Sequence, residues 1–146
     1  MSGAAIENLR AAREFAAAVR PTTGGFPYLA EAMSRAGVHR NEWHLPSMQS
    51  LYLTNLGPVV EQGTPLESGL CDVARFDTAA LIQALRADQA GRTSFLEFTT
   101  AAWRAGVVRY VVDLDRRTCT YYGVDGESFV ETYPGVSLPD AVPGTR

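Results

Sequence analysis

Residues 95–126, FLEFTTAAWRAGVVRYVVDLDRRTCTYYGVDG, carry the pattern that decides the fold, because residues 26–57, FPYLAEAMSRAGVHRNEWHLPSMQSLYLTNLG, run parallel to it 69 positions earlier with no gap. Under that shift Phe26 falls on Phe95, Ala32 on Ala101, and Arg35-Ala36-Gly37-Val38 on Arg104-Ala105-Gly106-Val107. Arg40 then meets Arg109, Leu45 meets Leu114, Tyr52 meets Tyr121 and Gly57 meets Gly126. These are ten identities over residues 26–62, where composition alone gives about two or three. The elements that each stretch predicts also fall in step: a helix, a capping glycine, a strand and its hairpin partner. So long a shift does not describe a solenoid. It describes two supersecondary units, each with an apolar face too small to bury alone, that pair around one interior.

Outward from these stretches, residues 4–20 place Ile6, Leu9, Ala12, Ala16 and Val19 at helical spacing, and Pro21 ends that helix. A helix over 26–36 carries Phe26, Leu29 and Met33 on one stripe before Gly37, and strands follow over 38–62. Residues 63–76, rich in Gly, Pro, Ser and Glu, join the halves. Asp77 is placed to cap a helix over 77–90, Ser94 and Glu97 form a capping box for a helix over 94–105, and 107–133 reads as a three-strand meander. The expected fold class is α+β. Two helix-helix-β-meander repeats, about 4–62 and 74–133, share a single domain over 1–133, with an antiparallel sheet, a pseudo-twofold arrangement and a cleft between them. Residues 134–146, with three prolines, are expected to be a loose C-terminal tail.

A chain of 146 residues, 46% hydrophobic and 20% charged, suits one soluble globular domain. No apolar run approaches the roughly 18 residues of a membrane-spanning helix. Glu7, Arg10, Arg13 and Glu14 interrupt the N-terminal alanines, so no secretory signal is expected and the chain is expected in the cytoplasm. A formal net charge of -3 and a pI near 5.3 argue against nucleic acid as partner. All 13 basic residues are arginine, which removes lysine Schiff-base chemistry and a lysine-bearing phosphate loop. Cys71 and Cys119 are too far apart in sequence to form a metal motif with each other, so free thiols, and neither metal nor cofactor, are expected.

The run from Thr93-Ser94-Phe95 through Ala105-Gly106-Val107, Arg109 and Asp113 to Tyr121-Tyr122 resembles the YdfO-like and YbcV-like family of bacterial proteins. Some members sit in prophages, and some are labelled phage envelope proteins. The resemblance covers about residues 93–131 clearly and the first half through helix and strand pattern. It implies a small α+β fold and brings no catalytic or binding residues with it.

Strand alternation puts Arg109, Val111 and Asp113 on one face, and Arg40, Glu42 and His44 on the matching face of the earlier strand. Two arginines, two carboxylates and a histidine on one surface could bind an anion, run acid-base chemistry, or simply form cross-strand ion pairs facing water. The catalytic candidates are His44, Glu42 and Asp113, with no nucleophile motif beside them. The first expectation is a non-catalytic module binding a small anionic or aromatic ligand in the cleft between the repeats, lined by Arg40, Arg109, Tyr52, Tyr121 and Trp43. The alternative is a self-associating or protein-interaction domain that uses exposed strand edges and a spare tyrosine. A small acid-base enzyme stands third.

Overall fold

The computed structural model describes residues 3–139. Two helices, α1 (Ala4–Val19) and α2 (Phe26–Arg35), precede strands β1 (Val38–His44), β2 (Gln49–Thr54) and β3 (Gly57–Gln62). After a long connection come α3 (Thr78–Gln89), α4 (Phe95–Arg104), β4 (Arg109–Asp113), β5 (Thr118–Tyr122) and β6 (Ser128–Thr132). Local chemistry sets these ends. The Asp77 side chain accepts from the Ala80 backbone N–H at 3.0 Å, and Ser94 and Glu97 close a reciprocal capping box on α4. Val107 is still tied to α4, its N–H bonded to the Ala102 carbonyl, so β4 starts at Arg109 and not at 107 as the valine run predicts.

Gly106 illustrates why a helix must end on glycine here. Its φ is +90°, and a Cβ would lie 2.6 Å from the Arg75 carbonyl oxygen and the Phe76 Cα. The connection between the halves crosses α4 at this point, and the Asp77 N–H bonds the Ala105 carbonyl at 2.8 Å.

The six strands form one antiparallel sheet in the order β3-β2-β1-β4-β5-β6. Each meander therefore runs outward from the centre, where β1 pairs with β4. The helices occupy one side. Arg13 of α1 reaches Tyr52 and Glu61, Arg86 of α3 reaches Glu131, and Phe98 of α4 packs edge-on against Tyr110 and Tyr121. A buried cluster of Leu9, Met33, Leu81, Leu85, Phe98, Tyr52, Tyr110, Val112 and Tyr121 joins helices from both halves to that face. The result is two layers, with helices on one face of the sheet and none of these core contacts on the other.

One expectation changes within residues 134–139. Leu138 is buried against Ala16 and Ala32, so this part of the C-terminal segment packs on α1 and α2 and is not loose. The proline content prevents a strand, and a single leucine suffices to dock the chain. Residues 140–146 of the expected tail lie outside the described residues. Within the described residues, no helix is long and apolar enough to cross a membrane.

Candidate interaction face

Strand alternation sorts the side chains of the sheet onto two faces. On the face turned from the helices, the registers line up three rows from β3 to β6. The middle row reads Val60, Leu51, Glu42, Val111, Thr120, Val130. On one side of it lie Pro58, Leu53, Arg40, Asp113, Thr118 and Thr132, and on the other Gln62, Gln49, His44, Arg109, Tyr122 and Ser128. Val60 is 60% exposed and Val130 54%. A solvated antiparallel face ordinarily presents polar residues, so the exposed apolar side chains toward its edges depart from that pattern, while Val111 at its centre is 5% exposed.

The charges sit at the centre of this face. Arg40 stands opposite Asp113 and His44 opposite Arg109 on the paired strands. The Arg40 Nε lies 3.2 Å from a Glu42 carboxylate oxygen. Asp113 Oδ1 accepts from the backbone N–H groups of Asp115 and Arg116 at 3.1 and 3.0 Å, which fixes the β4–β5 turn. The Arg109 guanidinium carbon lies 4.0 Å from the centre of the Tyr122 ring, a cation–π contact. The face thus gathers the two arginines, the two carboxylates and the histidine. Glu42 is turned to Arg40, Asp113 holds its turn, and His44 is exposed with no carboxylate bonded to it among the described residues.

Trp43, Tyr52 and Tyr121 lie on the helix-covered face. Trp43 Nε1 donates to Asn41 Oδ1 at 2.8 Å, the Tyr52 hydroxyl accepts from Arg13, and the Tyr121 ring stands 5.3 Å from that of Tyr110. Burial pushes the phenols of Tyr110 and Tyr121 well above their ordinary value and the Cys119 thiol up to about 12, so these groups stay neutral. The set Arg40, Arg109, Tyr52, Tyr121 and Trp43 is therefore split by the sheet and cannot line one cleft. Neighbours in a strand point to opposite sides, which separates Arg40 from Trp43; Arg109 and Tyr121 are parted in the same way across the β4–β5 pair.

The residues that sequence reasoning missed are Val60, Leu51, Leu53 and Val130. In β3 both Val59 and Val60 are valine, so periodicity does not say which one faces the helices; the register does, placing buried Val59 opposite Tyr52. Elsewhere, a groove of about 670 Å³ runs between α3 and α4, lined by Ala84, Ala87, Leu96, Ala101 and Arg104, and includes neither Arg40 nor Arg109. Among the described residues, no three His, Cys, Asp or Glu side chains converge as metal ligands would.

A family described as protein of unknown function DUF1398 matches residues 13–131. The chain belongs to this family. The DUF1398 chain is also similar to an uncharacterized protein of Mycobacterium bovis and to uncharacterized proteins of two Mycobacterium tuberculosis strains. Each is 56% identical over 140 residues, covering 96% of this chain and 85% of the relative. The match thus takes in both meanders and all the strands that build the open face.

Proposed function

We propose that this DUF1398 chain is a non-catalytic interaction domain, built as two equivalent halves about a pseudo-twofold axis, whose working surface is the open sheet face and whose partner is another protein. The observation that carries this reading is the apolar cluster of Leu51, Leu53, Pro58 and Val60 on the paired strands β2 and β3, with Val130 exposed at the opposite edge of the same face. A contiguous exposed apolar patch rimmed by polar residues is a mark of protein-contact surfaces.

Several positions support the equivalence of the halves. Helix α4 begins and ends 69 residues after α2. Met48 and Arg117, also 69 apart, are the two non-glycine residues with left-handed backbone among the described residues, at φ 55° and 57°. The pairs Asn41–Tyr52 and Tyr110–Tyr121 hold the same register. Glu42 faces Val111 across the β1–β4 junction, so an axis through that pair would exchange the two strands. The meanders differ by one residue only in their last hairpins, where Leu51 pairs Val60 but Thr120 pairs Val130. The resemblance to YdfO-like and YbcV-like proteins over 93–131 belongs to this same reading.

The test is the size of the chain in extracts of the cells that make it. It should elute well above the 15.8 kDa of one copy, and the double variant Val60→Asp/Val130→Asp should elute as one copy. Elution of the unaltered chain as a monomer refutes the reading.

A small-molecule reading finds its support in the α3–α4 groove, since its volume lies within the range typical of ligand sites and the buried Thr93 hydroxyl beside it has no partner. A thermal-shift screen decides it: a metabolite that raises the melting temperature of the unaltered chain but not of Ala84→Trp supports the groove. A screen without such a metabolite counts against it.

A further inference from the structure

Resting on the reading of the open face as an interaction surface, we infer that its occupant is a second copy of this chain, packed sheet against sheet. Three features point to a self-complementary contact. First, any in-plane twofold axis through the centre of the face, along the strands or across them, lays the middle row of one copy over the middle row of the other. With the axis along the strands, Val60 of one copy faces Val130 of the other, and in the row beside it Arg40 faces Asp113. Second, the charges of the face balance. Arg40 and Arg109 are matched by Glu42 and Asp113, whereas the whole chain carries -3. Two copies that approach by this face therefore meet without the repulsion their other surfaces impose, and the Arg40 of each copy meets the Asp113 carboxylate of the other.

Third, the size suffices. Six strands about 4.8 Å apart, each contributing five residues at about 3.4 Å, make a face of about 29 by 17 Å. Covering it on both copies removes on the order of 1,000 Å² from water, the lower limit for a specific interface. Stacked sheets pack about 10 Å apart, so Leu51, Leu53, Val60 and Val130 would interdigitate between them. Such a contact is isologous and closes on itself, which yields a dimer and no larger array.

The test is sedimentation equilibrium of the purified full-length chain, alone, over a concentration series. The unaltered chain should approach twice 15.8 kDa. Val60→Asp/Val130→Asp should raise the dimer dissociation constant by at least ~100-fold, while Leu96→Asp, equally exposed but on α4, should leave it unchanged. If the double variant does not fold, the methyl resonances of Val60, Val111 and Val130 in the unaltered chain serve instead; they should shift with dilution while that of Leu96 stays fixed. A purified chain that sediments as a monomer overturns the inference, as does a dimer that survives the double variant or a dilution series that moves Leu96 alone. The cell-extract result separates the two levels. A complex in extracts with a monomer in purified form sinks only the second copy as occupant, whereas a monomer in both sinks the interaction face as well.

Discussion

The two faces of the sheet are made by the same strands yet obey different rules. On the covered face Tyr52, Tyr110, Val112 and Tyr121 are each at most 6% exposed and are roofed by helices. On the open face Val60, Val130 and Leu53 keep 37% or more of their surface in water, although Val111 at its centre is only 5% exposed. Burial stabilises a fold in proportion to the apolar area removed from solvent, so the covered face carries most of the stability and Val60, Val130 and Leu53 contribute little to it. Aliphatic residues that do little for the fold point to a role outside it.

Truncation on each face breaks or sharpens that contrast most strongly. Phe98 is 5% exposed and packs edge-on against Tyr110 and Tyr121. Phe98→Ala should cost about 3–5 kcal/mol in urea unfolding. Leu53→Ala on the open face, measured in dilute solution, should stay within about 0.5 kcal/mol of the unaltered chain. Similar losses at the two sites would remove the distinction between the faces.

A smaller effect of opposite sign is expected at Ser50. Its hydroxyl lies on the covered face with no hydrogen-bond partner, and the residue is 1% exposed. The position 69 residues later is Cys119, a buried thiol with a weaker demand for a partner. Ser50→Ala should therefore stabilise the chain by about 1 kcal/mol, read from the unfolding midpoint. A destabilised variant would mean that the hydroxyl is satisfied.

The smallest effect concerns His39, which links turns of the two meanders beside the sheet. Its Nε2 lies 2.6 Å from Asn55 Oδ1 and its Nδ1 3.1 Å from Asp115. The Asn55 bond, then Asp115, raise its pKa above the ordinary 6.5. With the folded value above the unfolded one, the contribution to stability is fully present below pH 6.5 and is lost as pH rises through the folded value. The unaltered chain should accordingly exceed His39→Ala in melting temperature on the acid side, and the gap should close on the alkaline side. A gap that widens with pH would mean that the ring is held neutral.

Much of the fold was legible because its signals are local. Ser94 and Glu97 mark the start of α4, Gly37 and Gly106 mark helix ends, and alternation assigned Arg40, Glu42 and His44 to one face of their strand and Arg109 and Asp113 to one face of theirs. What was not legible is long-range. Pairing of β1 with β4 depends on contacts between residues some 70 positions apart, and only that pairing sets Arg40 opposite Asp113. Helices cover the face that carries Tyr52 and Tyr121, which divides these two from Arg40 and Arg109, a fact no spacing encodes. The aliphatic row failed to appear for a related reason: Val60 and Val130 become neighbours of Leu51 and Thr120 only through the registers of β3 and β6.

The central claim is that the open face meets another copy of itself, and nuclear Overhauser contacts between an isotope-labelled and an unlabelled copy test it most directly. Contacts joining methyl groups of Leu51, Val60, Val111 or Val130 across the two copies are the predicted result. Intermolecular contacts that arise only from the helix layer, at Ile6 or Leu96, would contradict it.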